Sequence, residues 1–320
     1  MKVFYHSLYR FYRPQVKKQI NLFLISDIHF SHSLRSQTMN AVIERAKTEA
    51  PDYILIPGDL VDSLTSLDEP SEQARFSAFF EQLGKIAPVI AGLGNHDFYR
   101  VPEGSKNNIW APWEIDKPEK LKQSLESLER VMLLDNQTYE DDRVLVFGFT
   151  QTPEYYSMDL RKKGEHGPTS VEDRNVLIHD LEQIEKSRLT KLPKNKLKIA
   201  LVHSPIRLDD PEVIKFFDEF DLVITGHTHN GATPPILHDF WFSNRGLMAP
   251  GRGSYLPDRT RIGIYDKKII LCGPITTIQS HAHPLTPLNH CFPVHVARVE
   301  ISDNDIYERK PGKKYKYIGF

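Results

Sequence analysis

Five short polar segments carry the residue types that bind divalent cations: Asp27-Ile28-His29, Gly58-Asp59-Leu60-Val61-Asp62, Gly94-Asn95-His96-Asp97, the single His203, and Gly226-His227-Thr228-His229. Imidazole nitrogens with carboxylate and amide oxygens form a borderline-to-hard donor set, which suits Mn²⁺, Fe or Zn²⁺ better than an ion selected by thiolate. Cations held in this way acidify bound water and polarise oxygen ligands. Taken singly, each segment has a plainer reading. An Asp at a strand end is often a turn former or a helix N-cap, and a lone His is usually a surface or satisfied core residue.

Their position relative to the surrounding elements sets them apart. Asn21 to Ser26 is an apolar strand candidate that stops at Asp27, and Met39, Val42, Ile43, Ala46 and Ala50 follow with the spacing of an amphipathic helix ended by Pro51. Tyr53 to Ile56 predicts a second strand, and Phe76, Phe79, Phe80 and Leu83 a second helix broken at Pro88. Val89 to Leu93 predicts a third strand, running into Gly94. This βαβαβ run calls for a parallel sheet covered by helices. Beyond it, Leu121, Leu125, Leu128 and Met132 predict one helix, Val144 to Phe149 a strand, and Val171 to Leu189 a helix. Lys196 to Val202 predicts a strand ending at His203, Asp209 to Phe220 a helix, and Asp221 to Thr225 a strand ending at Gly226. Short β-type runs recur near 240–248, 261–271 and 293–301. In open α/β sheets ligands bind beyond the carboxyl ends of strands, so five strand ends bearing polar residues can converge on one pocket.

In order and spacing these segments closely resemble the motif set of the calcineurin-like metallophosphoesterase superfamily: D-x-H, GDxxD, GNH[D/E], a lone H and GHxH, each present without a departure. The resemblance spans roughly residues 22–231, with compatible β-rich sequence to about 301. It implies an α/β fold of two packed mixed β-sheets flanked by helices, a four-layer α/β/β/α sandwich over residues 20–302. Residues 1–19 then form a basic, aromatic segment, expected as an edge strand, and 303–320 a basic tail.

The resemblance also implies a phosphoester hydrolase. Attack on a phosphate ester adds oxygen to an anionic phosphorus centre, and a cation pair about 3.5–4 Å apart supplies both positive charge and a bridging hydroxide for in-line displacement. Carried over by position, Asp27, His29 and His229 hold one metal, Asn95, His203 and His227 the other, and Asp59 bridges them. In an extended or tightly turning segment residues two apart can point to the same side, so His227 and His229 can serve different ions from one loop. His96 matches the general acid that faces the leaving group. Asp62 matches the carboxylate that hydrogen-bonds this ring, fixing its tautomer and favouring its protonated form, with a turn cap as the alternative. Asp97 either supports a ligand or caps a helix.

Composition narrows the partners. Of 320 residues 40% are hydrophobic and 26% charged, which excludes global disorder, and 41 basic against 42 acidic residues provide no bulk field for nucleic acid. The expected substrate is a small phosphorylated metabolite, a nucleotide or a lipid-linked headgroup. A non-catalytic scaffold of the same fold and a nuclease of the same superfamily are the alternatives, and the intact set of ligand positions argues against the scaffold. Substrate selection is expected from the loops Tyr99–Pro118, Gln151–Ser170 and Gly251–Arg261, which carry aromatic and basic residues. The two cysteines, Cys272 and Cys291, fit a reducing compartment, and with no apolar run of about 18 residues and no leader-like start the expectation is a cytoplasmic protein. Five basic and five aromatic residues within 1–19 leave open a weak contact with a membrane surface, and no feature points to a protein partner. His281, His283, His290, Cys291 and His295 match no standard zinc spacing and read as surface or packing residues. Gly251-Arg252-Gly253 lacks the rest of a dinucleotide fingerprint, and Ser204 lacks a nucleophile elbow.

Overall fold

Alternation between strand-period and helix-period apolar runs produces two sheets with helices outside them. The structure, a computed structural model, describes residues 4–13, 18–102, 114–153, 156, 171–187, 192–205, 208, 210–229, 263–265, 268–277, 289, 294–302 and 316–318. In chain order the strands are β1 (Phe4–Tyr12), β2 (Ile20–Leu24), β3 (Tyr53–Ile56), β4 (Val89–Ala91), β5 (Tyr99–Arg100), β6 (Glu114–Ile115), β7 (Val131–Leu133), β8 (Thr138–Glu140), β9 (Val144–Phe149), β10 (Leu197–Val202), β11 (Leu222–Thr225), β12 (Gly263–Tyr265), β13 (Ile269–Leu271), β14 (Val294–Ser302) and β15 (Lys316–Ile318). The helices are α1 (Ser36–Glu49), α2 (Pro70–Ile86), α3 (Glu119–Glu126), α4 (Val171–Ser187) and the short α5 (Pro211–Ile214).

One sheet has the order β15-β1-β14-β2-β3-β4-β7 and the other β12-β13-β11-β10-β9-β8, with β5 and β6 as a separate ribbon. Strands β2, β3, β4 and β7 run parallel, as do β9, β10, β11 and β13. The sheets meet face to face: Leu22, Leu24, Leu55 and Ile90 pack with Val146, Ile199, Leu201, Leu222 and Ile224 in one buried cluster. The opposite face of the first sheet (Phe23, Ile54, Ile56, Val89) packs on Val42 and Ala46 of α1 and Phe76, Phe80 and Leu83 of α2. The opposite face of the second (Phe147, Phe149, Ala200, Val202) packs on Leu177 and Leu181 of α4 and on Phe217. This is the four-layer arrangement expected. Each large apolar side chain so buried contributes about 1.5–3 kcal/mol of transfer free energy, and Phe23, Phe76 and Phe80 are fully buried.

Several elements depart from the sequence reading. The helix expected from Leu121 to Met132 stops at Glu126, and Met132 lies in β7, parallel to β4. The apolar spacing runs on because Val131 packs into the helix-covered core and Met132 against the inter-sheet core, opposite faces of a strand. The helix expected over Asp209–Phe220 is one α turn, Pro211–Ile214, followed by a 3₁₀ turn at Lys215–Phe217. The amino-terminal strand forms, but it is second from the edge: β15, from the expected tail, pairs with Phe4–His6 and β14 with the whole of β1. The run near 240–248, most of the three selection loops, and His281, His283, His290 and Cys291 lie outside the described residues. His295 is buried in β14. Among the described residues no helix is long and apolar enough to cross a membrane.

Candidate metal centre

All nine side chains singled out from the sequence as ligands or catalysts are buried, and they sit in loops that follow β2, β3, β4, β10 and β11. Those loops are bonded to one another through the main chain. Asp27 N donates to Gly58 O (3.3 Å), His29 N to Asp59 O (3.1 Å), Phe30 N to Leu60 O (3.0 Å) and Gly226 N to His203 O (2.8 Å). The two sheets are joined at the site itself, where His227 N donates to Asp27 Oδ1 at 2.8 Å. Such proximity needs glycine: a Cβ on Gly226 would collide with Ser26 Oγ and Asp27 Oδ2, and one on Gly94 with the Asp59 side chain.

The backbone carries strain where the candidate ligands are. Asp27, His29, Asp59, His227 and His229 have φ of 49°, 44°, 53°, 71° and 49°, the left-handed region that L-residues seldom occupy. They are five of the eight non-glycine residues with positive φ among those described. Each such residue costs on the order of 1 kcal/mol and persists only where the surroundings over-determine it.

Side-chain donor atoms of Asp27, His29, Asp59 and His229 lie within 4.8 Å of one another, and so do those of Asp59, His203 and His227. Asp59 belongs to both groups. Its Oδ2 is 3.4 Å from His29 Nε2 and 3.0 Å from His203 Nε2, while its Oδ1 accepts the His96 N–H at 2.9 Å. His229 Nε2 lies 3.3 Å from Asp27 Oδ1 and 3.0 Å from His29 Nε2, and its Nδ1 donates to Thr277 O at 2.8 Å, which directs Nε2 inward.

Electrostatics prepare these groups as ligands. Burial, then the neighbouring His96, hold the His29 pKa down to about 3, and burial with His203 does the same to His227, so both rings are neutral with a lone pair to offer at pH 7. Burial would raise Asp27, but the His229 hydrogen bond and charge outweigh it and lower it to about 2. For Asp59 burial is likewise outweighed, by His203, His96 and His29, which keep the carboxylate ionised. His203 and His229 are raised, burial being overcome by Asp59 and Asp27 respectively.

His96 and Asp62 meet differently from expectation. His96 Nδ1 donates to the main-chain carbonyl of Asp62 at 2.7 Å, and the Asp62 carboxylate has an oxygen 3.9 Å from His29 Nδ1. A neutral carbonyl fixes the tautomer as a carboxylate would, but adds no full charge beside the ring. His29, Asp62 and His96 nonetheless form one compact buried group. Asp97 serves both of its expected uses: Oδ2 accepts Gly94 N at 2.8 Å across the start of its own 3₁₀ turn, and Oδ1 accepts Leu60 N and Val61 N at 2.9 and 3.1 Å, tying this turn to the Asp59 loop.

A cation fits this donor set. Asn95 Oδ1 is a buried acceptor without a hydrogen-bond partner, a state that costs about 1–3 kcal/mol unless a ligand satisfies it, and Asp59 Oδ2 has only the imidazoles of His203 and His29 beside it. The Asp27 and Asp59 carboxylates and the imidazoles of His29, His203, His227 and His229 supply the rest of a first coordination sphere, a cation displacing the protons that Asp59 and Asp27 favour on His203 and His229. Sequence reasoning missed several supports. Gln151 clamps Ser204, next to His203, by accepting its N–H at 2.7 Å and donating to its carbonyl at 3.2 Å. Tyr156 donates to Gln151 Oε1 at 2.6 Å and packs tilted against the His227 ring, centroids 5.5 Å apart. No local signal marks such residues, because their partners are distant in sequence.

The comparisons with known proteins point the same way. The calcineurin-like phosphoesterase family model matches residues 20–231, which contain all nine side chains. An uncharacterized metallophosphoesterase of Campylobacter jejuni is 23% identical over 224 residues, covering 70% of this chain and 48% of its own length. One from Helicobacter pylori is 24% identical over 225 residues with the same coverage. The chain thus spans about half the length of the curated relatives it matches. Among solved structures, a dimetal phosphatase from Danio rerio aligns over 80% of this chain and 88% of its own at 10% identity, with a TM-score of 0.37. With a family model covering most of its length and every motif of that family converging on one buried His/Asp cluster, the chain belongs to the calcineurin-like phosphoesterase family.

Proposed function

We propose that this chain hydrolyses phosphoester bonds with two divalent cations, Asp27, His29 and His229 on one, Asn95, His203 and His227 on the other, and Asp59 shared. The observation that carries the reading is the position of Asp59 Oδ2, buried and facing an imidazole nitrogen from each trio. When bound, the pair (Mn²⁺, Fe or Zn²⁺) would acidify a water molecule and withdraw charge from the phosphoryl oxygens. The chain's own groups do the rest. His96, with its Nδ1 proton on the Asp62 carbonyl, carries the transferable proton on Nε2 and delivers it to the leaving-group oxygen. The Asp59 bond to His96 N and the Asp97 bonds to Gly94, Leu60 and Val61 hold that ring against the cation trios. The substrate is a small phosphorylated metabolite, nucleotide or lipid-linked headgroup. The half-buried rings of Tyr99 beside His96 and Tyr156 beside His227 support an organic group flanking the phosphate.

The test is hydrolysis of phosphate mono- and diesters by Mn²⁺-supplemented protein and by His96→Ala. A poor leaving group needs the proton and a good one does not, so an alkyl ester should lose about 100-fold or more in turnover and a p-nitrophenyl ester less. Equal losses for both would remove His96 as the acid. No hydrolysis by the wild type across nucleotides, monoesters and diesters would favour a scaffold role.

A further inference from the structure

Asn95 is the one proposed ligand whose donor end is ambiguous, because a carboxamide turned by half a rotation presents NH₂ where it had presented oxygen. An NH₂ group aimed at a cation repels it, so a site that uses Asn must fix the amide. We infer that Tyr99 supports the cation-binding orientation: its hydroxyl oxygen is placed to accept the Asn95 Nδ2–H when Oδ1 turns to the cation. The Nδ2 to Oη distance is 3.3 Å, and Oδ1 is the buried acceptor without a partner noted above.

Tyr99 is itself held from several directions. Its strand β5 pairs with β6, Tyr99 opposite Ile115, and Asp116 N donates to Phe98 O at 2.9 Å. The adjacent Arg100 forms ion pairs of 2.8 Å with both Asp68 and Asp116, and Val101 N donates to Thr65 Oγ1 at 3.0 Å. The ring packs tilted against His96 with centroids 5.1 Å apart, a second contact that locates its hydroxyl beside Asn95. Tyr99 is a positioning residue: it acts on the cation through Asn95. Sequence position four residues after a ligand would not have revealed it, since a 3₁₀ turn followed by a strand brings the two together.

This inference rests on the reading of Asn95 as a ligand, and the experiment separates the two. Mn²⁺ is titrated into metal-free wild type, Tyr99→Phe, Asn95→Asp, Asn95→Ala and the Tyr99→Phe/Asn95→Asp double variant, with bound ion followed by loss of the free Mn²⁺ paramagnetic signal. Phe keeps the ring beside His96 and removes only the hydroxyl. Tyr99→Phe should weaken the second Mn²⁺ about tenfold, the low end of what outer hydrogen-bond partners of metal ligands contribute. A carboxylate presents oxygen in either orientation, so in the Asn95→Asp background the same change should alter affinity less than about twofold, a non-additivity that marks coupled residues. Wild-type affinity in Tyr99→Phe, or an equal loss in both backgrounds, overturns the inference. If Asn95→Ala weakens the second ion and Tyr99→Phe does not, only the inference fails. If Asn95→Ala binds both ions as the wild type does, the ligand reading fails and the inference with it.

Discussion

Asp97→Asn changes one atom and should unlock the junction between two ligand loops. In the wild type both carboxylate oxygens accept only N–H groups: Gly94 on one, Leu60 and Val61 on the other. An amide has one oxygen. If it faces Leu60 and Val61, its NH₂ opposes the Gly94 N–H; if it turns, two N–H groups are opposed instead. A buried donor left without an acceptor costs about 1–3 kcal/mol. A loss of about 2 kcal/mol lowers the melting temperature of a chain of this size by roughly 3 °C. Differential scanning calorimetry of both metal-free proteins measures it directly, and urea unfolding gives the free-energy difference independently. A change below about 0.5 kcal/mol, the range of ordinary surface substitutions, would refute the claim that Asp97 ties the Gly94 turn to the Asp59 loop.

Other consequences follow from the packing around this centre. Asp141 accepts the hydroxyls of Tyr53, from the first sheet, and Tyr139, from the second, at 2.6 and 3.0 Å, together with two main-chain N–H groups. Burial would raise its pKa, but these bonds hold it lower than usual. A depressed carboxylate contributes stability that is complete above the unfolded value near 3.9 and is lost as pH falls toward the folded one. Asp141→Asn should therefore be less stable than the wild type by about 1–2 kcal/mol at pH 7, with the gap closing below about pH 4. A constant gap in urea unfolding at pH 3 and 7 would contradict this. Burial pushes the Cys272 thiol up, so in a Cys291→Ser background the folded protein should release no thionitrobenzoate from Ellman's reagent at pH 8 and one equivalent after unfolding. One equivalent from the folded protein would contradict the packing. Gly226→Ala places a methyl 2.6 Å from Asp27 Oδ2 and should lower bound Mn²⁺ below that of the wild type, as measured by elemental analysis; unchanged metal content would show that the loop yields without moving its ligands.

The sequence was informative where one physical cause dominates. Strands β2, β3, β4, β10 and β11 are apolar apart from Asn21 and Lys198 because both faces are covered, and the chain beyond each turns toward the site with Asp, Gly or His. The nine candidate residues were therefore legible as polar groups at strand ends that the fold brings together. What escaped was set by tertiary contact. β7 looked like the end of a helix because Leu121, Leu125, Leu128 and Met132 keep helical spacing, and only pairing with β4 makes Val131–Leu133 a strand. Two-residue strands such as β5 and β6 have no period to read. The Asp62 carbonyl rather than its carboxylate holds His96 Nδ1, a main-chain contact that no side-chain motif encodes. Tyr156, Gln151 and Thr277 contact candidate ligands, or in the case of Gln151 the neighbour of one, 45 or more residues away from their own positions. The left-handed φ values at five ligand positions are likewise invisible, since Asp and His carry no signal for them comparable to glycine.

The central claim is that seven side chains share two cations through Asp59. Elemental analysis of protein equilibrated with Mn²⁺ and then gel-filtered tests it most directly, with Asp59→Ala measured alongside and the fold of each checked by circular dichroism. The account predicts two Mn²⁺ per folded wild-type chain and loss of both in Asp59→Ala. A wild type that retains no metal, or a folded Asp59→Ala that still retains two ions, would contradict it.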